Sequence, residues 1–288
     1  MLEQLWNLDD AAHFVNFIAL AFLLEALVLL WIGKWIKDLV SPFSINDQLT
    51  HEDNKALAVS YTGYMVAQGI IIHGVFQGEF HDLTTDLIGV AIWSLIGIVL
   101  LNLSTWINNQ FILRRFDNVK EIIEDRNVGT GAVQCGTYLG TAFIIRAVIQ
   151  GESSGWTEDL IMVGLFFLVG QLCFVLFSFV YQGITAYDVH DEIEKDNVAA
   201  GVSFGLTLTA VGIILSHSLE TTHSLAALGV WFFNGVVLLV ISRFLVDKLI
   251  LASHKLDSEI ATDRNWGAAL VEGGGALIVA VLLNASFA

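Results

Sequence analysis

Six stretches of the chain, 56–78, 87–113, 127–145, 160–187, 197–219 and 221–242, contain no Asp, Glu, Lys or Arg, and they run for 23, 27, 19, 28, 23 and 22 residues. Two more, 13–33 and 267–287, are each interrupted by a single acid, Glu25 and Glu272. A membrane-crossing helix needs about 20 predominantly apolar residues, and core helices of soluble domains rarely run that long without charge. The pattern therefore predicts an all-α integral membrane protein with eight transmembrane helices. Composition agrees, with 55% hydrophobic residues against 15% charged, where a soluble domain carries roughly 25% charged. A soluble enzyme or a nucleic-acid binder is excluded.

The thirteen basic residues sort by side. Lys34, Lys37 and Lys55 lie between spans 1 and 2, and Arg114, Arg115, Lys120 and Arg126 between spans 3 and 4. Lys195 lies between spans 5 and 6, and Arg243, Lys248, Lys255 and Arg264 at the end of span 7 or between spans 7 and 8. Only Arg146 falls near the opposite side. The positive-inside rule puts these four loops in the cytoplasm and both termini outside, in the periplasm. The other face carries Glu3, Asp9, Asp10, Asp82, Asp86, Glu158 and Glu220 among its acids, so most of the net charge of −16 belongs to one side and disfavours anionic partners. Met1 to Asp10 lacks the basic start of a signal peptide, so the first span is expected to be retained.

The chain repeats itself. Residues 91–133 laid over 229–271, an offset of 138 without gaps, give 15 identities in 43 positions. They include Trp93/Trp231, Gly97/Gly235, Ser104/Ser242 and the Asp125-Arg126-Asn127 and Asp263-Arg264-Asn265 triplets. Spans 2 and 6 correspond through Asp53-Asn54, Ser60 and Gly69 against Asp196-Asn197, Ser203 and Gly212. Self-similarity on this scale marks two structural units, 1–151 and 152–288, each a four-helix membrane repeat. Four spans per unit give both copies the same orientation, unlike inverted-repeat transporters.

Two tandem four-span units, with Asp-Asn before the second span and Arg-Asn before the fourth, resemble the domain of unknown function 350 family of bacterial inner-membrane proteins across essentially the whole chain. The resemblance implies a multi-pass protein of the inner (plasma) membrane working with envelope partners. It implies no reaction.

Small residues concentrate in the even spans: Ser60, Gly63 and Ala67, then Gly129, Gly136 and Gly140, then Gly201, Gly205 and Gly212, then Gly267 and Gly273 to Gly275. The odd spans carry Trp93, Trp106, Phe166, Phe174, Trp231 and Phe233. Lipid offers no hydrophobic drive between helices, so close backbone approach through small residues sets their association. Even spans are expected inside and odd spans toward lipid or a partner. Asp53, Asn54, Asp125, Asn127, Asp196, Asn197, Asp263 and Asn265 precede the even spans and read as helix N-caps, whose side chains accept from free N–H groups. A site for an anion on the four helix starts is the competing reading.

Chemistry inside the bilayer falls to Glu25 and Glu272, because intramembrane ionisable groups are costly. The 138-residue register pairs Glu272 with Gln134, and a looser one pairs Glu25 with Gln171. Rise per residue puts Glu272 roughly 8 Å and Glu25 roughly 13 Å from the basic ends of their helices, so the four are expected in one polar layer. Two readings stand: a layer that binds protons or cations, or Glu–Gln pairs that fix helix packing. On the outer face His73, Glu79 and His81 in one loop, and His217, Glu220 and His223 in its counterpart, have metal-binding chemistry without any established spacing. Arg146 is expected to reach outward toward Glu152 or Asp159. No phosphate loop, nucleophile elbow or haem spacing occurs, so neither a cofactor nor catalysis is expected. The function classes left are a proton or cation channel or transporter, and a non-catalytic scaffold that docks partners of an envelope-stress or lipid-organising system. The expected partners are the lipid bilayer, protons or cations, a second copy or another membrane protein, and no nucleic acid.

Overall fold

In the computed structural model, which describes residues 17–78, 80–150 and 155–286, the polypeptide is helical, with no strand among the described residues. The helices come in a repeating triplet of long, short, long. The first triplet is α1 (Phe17–Val40), α2 (Ile45–Thr50) and α3 (Lys55–Phe76). The second is α4 (Leu83–Ile107), α5 (Asn118–Ile123) and α6 (Val128–Ile149). The third is α7 (Trp156–Ile184), α8 (Val189–Glu194) and α9 (Val198–Thr221), and the fourth α10 (Leu225–Leu245), α11 (Leu256–Ala261) and α12 (Trp266–Ala285). Five-residue π-helical segments, Asn108–Ile112 and Val246–Ile250, extend α4 and α10 at positions 138 apart.

Seven of the long helices are long and apolar enough to cross a membrane, among the described residues. The eighth long helix, α3, has 22 residues and packs lengthwise against α6. Two halves of like architecture follow one another, and the seam between them is α6 against α9.

Each short helix turns the chain back into the membrane through one device. Asn54, Asn127, Asn197 and Asn265 are the N-caps of α3, α6, α9 and α12, accepting from the N–H groups of Leu57, Thr130, Ala200 and of Gly267 and Ala268 at 3.0 to 3.3 Å. The residue before each cap, Asp53, Arg126, Asp196 or Arg264, has φ of 47°, 55°, 60° or 50°. This left-handed residue reverses direction within a tight connection, at a cost of about 1 kcal/mol for a non-glycine residue. The expectation for the caps is corrected here: the four Asn do the capping, Asp53 and Asp196 supply the left-handed turn, and Asp125 instead pairs with Lys120 at 2.9 Å. The short Asn side chain suits the cap because its amide end is free to donate, and it does so to Gln48, Glu121, Glu192 and Glu259 respectively.

The long helices α3, α6, α9 and α12 form a row, each packed along the next. Counted from its cap Asn, the ninth residue of one helix meets the eighth of the following one at every seam: Gly63 at Cys135, Gly136 at Gly205, Leu206 at Gly273. A Cβ added at Gly136 would overlap the Gly205 backbone, so glycine is what lets these two helices touch. The outer helices lie over the seams, α4 on α3 and α6, α7 on α6 and α9, α10 on α9 and α12. Small residues thus face inward, and the most apolar stretch of α9 is 78% buried against 22% for α10. The large residues divide: Trp106 and Phe233 face outward, while Phe166 and Phe174 of α7 are buried in the core, against the expectation that odd spans face lipid. Helix α12 departs from its row, at 39%, because no fifth helix covers its far side.

Candidate functional site: a buried ion pair between helices

Glu272 of α12 is almost wholly buried, at 3% exposure, and so is Arg243 of α10, at 9%. They form an ion pair. The second Glu272 oxygen accepts from the Ser203 hydroxyl of α9, and Tyr181 of α7 donates to the first at 3.1 Å. The Tyr181 and Ser203 hydroxyls lie 2.7 Å apart. Phe204 stacks on the Tyr181 ring at 5.0 Å, which fixes the phenol on this side of its helix. Arg243 extends its other nitrogen to Asp257 at 2.5 Å, on α11. Two carboxylates, one guanidinium and two hydroxyls therefore tie α7, α10 and α11 to the row helices α9 and α12.

Two cavities meet at Arg243. One, of about 10 Å³, is lined by Tyr181, Thr207, Ser242, Arg243 and Glu272, which is room for about one water. The other, of about 200 Å³, opens beside Asp247, Leu256 and Asp257 at the basic end of the helices. Arg243 and Ile184 line both, so the guanidinium separates the carboxylate from the cleft.

The first half has the same site with other chemistry. Gln134 occupies the place of Glu272 and accepts from Ser60, the counterpart of Ser203, at 2.7 Å. Thr105 stands where Arg243 does and Asn109 where Asp247 does, each 138 positions earlier. Tyr181 corresponds to Lys37: the N–H of Ile45 bonds Asp38 as that of Val189 bonds Gln182, which sets an offset of 144 between α1 and α7. The Lys37 ammonium donates to Tyr138 at 2.8 Å and to Thr105 at 3.4 Å, over the Tyr64 and Tyr138 rings.

That offset corrects the polar layer. Glu25 stands in register with Val169, not Gln171. Gln171 donates to Thr141 at 2.9 Å, thirteen residues into α6, whereas Gln134 lies six residues in. At 1.5 Å per residue the two levels are roughly 10 Å apart. No Glu–Gln pair forms among the four residues: Glu272 takes an arginine, Gln134 a serine and Asn109, Gln171 a threonine. Glu25 is half-buried, and one of its oxygens is buried with no hydrogen bond.

The outer-face histidines also go separate ways. His217 is buried edge-on against Trp231 at 4.9 Å, Glu220 faces Arg146 at 3.5 Å, His223 lies beside Phe166, His81 beside Asp86 at 3.4 Å, and His73 is exposed on α3. Glu79 lies outside the described residues, as does Glu152, and Arg146 takes Glu220 as its ion partner. Among the described residues no three His, Cys, Asp or Glu side chains converge on a metal position. At the basic end, burial holds the His190 imidazole of α8 below its ordinary value, outweighing its 2.6 Å bond to the Ile112 carbonyl.

Arg243, which the charge pattern assigns to the basic loops, and Ser203, which the repeat shows only as the partner of Ser60, join Tyr181 and Asp257 in a site that no motif marks. The trace they leave is a coordinated change between repeats: Thr105 becomes Arg243 where Gln134 becomes Glu272, so charge appears at both positions together.

A model of the family described as Domain of Unknown Function (DUF350) matches residues 8–149 and again 155–287. The chain belongs to this family. A UPF0719 transmembrane protein of Aquifex aeolicus (strain VF5) is 22% identical over 257 residues, 85% of this chain and 92% of the relative. The UPF0719 transmembrane protein YshE of Bacillus subtilis (strain 168) is 32% identical over 111 residues, 38% of this chain and 82% of the relative, which makes it about half as long as this chain. No solved structure matches. With family, relatives and apolar helices in agreement, the chain is a polytopic membrane protein in a lipid bilayer.

Proposed function

We propose that this DUF350 protein is a non-catalytic scaffold of the bacterial inner membrane, with eight spans and both ends on the periplasmic side. The observation that carries the reading is where the intramembrane polar groups go. Glu272, Gln134 and Gln171 each bond a neighbouring helix, and Arg243 stands between Glu272 and the cleft at the basic end. A carboxylate whose oxygens are already held by Arg243, Tyr181 and Ser203 has none left to carry a passing ion. The outer helices, with Trp31, Trp35, Trp106 and Phe233 exposed, offer the surface for lipid or a partner.

Glu25 supports a second reading. A half-buried carboxylate with an unsatisfied oxygen in α1 suits a proton or cation path that bypasses the ion pair. Purified protein in liposomes separates the two. The scaffold reading expects proton and monovalent-cation flux no greater than in empty liposomes, and flux that Glu25→Gln abolishes would replace it with transport. Orientation is tested by cysteines at Asn46 and Ser154 in a background lacking Cys135 and Cys173: Ser154→Cys is expected to label from the periplasm and Asn46→Cys only from the cytoplasm. Labelling of both from outside would refute the topology.

A further inference from the structure

The row of α3, α6, α9 and α12 is built by one contact used three times, and its two ends carry the two unused halves of that contact. Every seam is heterologous: the face of one helix that carries its second and ninth residues after the cap meets the face of the next that carries its fourth and eighth. Gly131 sits on the Ala56 carbonyl and Gly201 on Gly129. Gly63 meets Cys135, Gly136 meets Gly205 and Leu206 meets Gly273. The seam joining the two family-matched regions, α6 to α9, is made as the seams inside each region are. Packing a second copy of a region thus needs no contact the chain does not already use.

At the far end, α12 presents the leading face with nothing on it among the described residues. Gly267 is exposed, Ile278 is 60% exposed, and a Cβ at Gly274 would meet nothing within 4 Å. At the near end, α3 presents the receiving face equally bare among the described residues: Thr62 is exposed and a Cβ at Gly69 would meet nothing within 4 Å. The two faces match by the register of the interior seams, Gly274 opposite Thr62 and Ile278 opposite the notch at Gly69.

A second observation, independent of the small residues, points the same way. The cap amides of Asn54, Asn127 and Asn197 each cross the seam to a carbonyl on the next short helix, that of Ile122, Ile193 and Ile260, at 2.8, 2.5 and 2.8 Å. Asn265 has no next short helix; it lies exposed, and its amide bonds only Glu259 of its own unit. The carbonyl that continues the series is that of Leu49, in α2 of another copy.

We infer that this protein assembles head to tail with further copies of itself, the Gly267–Gly274 face of α12 receiving the Thr62–Gly69 face of α3 of the next copy. Heterologous contacts of this kind give a ring or an open row, not a two-fold dimer. All copies keep the same orientation in the membrane. The inference rests on the seam geometry and holds whether or not the assembly conducts.

The test is disulfide trapping in native membranes, in a Cys135→Ala/Cys173→Ala background. Thr62→Cys combined with Gly274→Cys is expected to give a ladder of oligomers on oxidation, reversed by reductant, and each single cysteine is expected to stay monomeric. A cross-linked dimer from Thr62→Cys alone or Gly274→Cys alone would show two-fold packing and overturn the proposal, and so would the absence of product from the pair. Mass measurement of the wild-type protein in lipid nanodiscs guards against a misfolded variant. Particles of two or more copies, reduced to monomers by Gly274→Leu with the thermal transition kept, support the assembly, and wild-type monomers refute it.

Discussion

The two halves place different chemistry on the same backbone. In the first, Ser60 and Gln134 join α3 to α6 through one neutral hydrogen bond, while Lys37 reaches Thr105 and Tyr138 beside it. In the second, Ser203 and Glu272 join α9 to α12, and Arg243 and Tyr181 close on the carboxylate. The positive charge has moved from the α1 position to the α10 position, and the acid has appeared opposite it. The hydroxyl–acceptor bond between successive row helices is thus a property of the fold, and the ion pair an elaboration of one copy. Asp257 extends it to α11, a tie without a counterpart at Val119, the equivalent position of the first half.

This comparison can be broken at graded points. The largest effect is expected from Arg243→Thr, which installs the first-half residue but leaves Glu272 buried without its counter-charge. Removing one partner of a buried pair costs about 3–5 kcal/mol, to be read as lost stability in a denaturant titration in nanodiscs; a loss within 0.5 kcal/mol would mean that water, not Arg243, satisfies the acid. Next come the caps. Asn127→Ala removes the cap of α6, the bond to Glu121 and the bond across the seam to Ile193, and is expected to cost about 2 kcal/mol, the upper part of the range for a lost cap. Asn265→Ala removes only a cap and a bond within its own unit, and about 1 kcal/mol is expected in the monomer. Equal losses at the two sites would deny the seam bond any weight.

The smallest effect is a pH dependence at the basic end. The fold disfavours the charged form of His190, so the unfolded chain binds the proton first. Stability from this group is then fully present above the ordinary value of about 6.5 and falls as pH drops through the folded value. His190→Gln should flatten the acidic limb of a stability–pH curve, and an unchanged limb would place the proton elsewhere.

Much of the fold was legible because it rests on periodic, local properties. Charge-free runs mark the long apolar helices, seven of which among the described residues are long and apolar enough to cross a membrane, and the Gly-rich spans mark the inner row. The 138-residue register located Gln134 under Glu272. The depth of Glu25 was not legible, since α1 and α7 share almost no residues, and only the bonds of Asp38 and Gln182 to the following short helices fix their offset at 144. The distinction between capping Asn and left-handed Asp was hidden too, because both residue types favour caps and both tolerate positive φ. Arg243 was taken with the basic loops that set orientation, and its inward reach depends on α10 lying over the α9–α12 seam, which no single segment specifies.

The central claim is that Arg243 and Glu272 act as one structural pair on a backbone that also accepts Thr and Gln. A double-mutant cycle measures this directly. Stability is compared for wild type, Arg243→Thr, Glu272→Gln and the double variant, which places the first-half Thr and Gln in the second half. The account predicts a large loss for each single change and a double variant less destabilised than their sum by about 2–3 kcal/mol, the upper part of the range of about 0.5–3 kcal/mol found for residues in contact. Losses that simply add would contradict it.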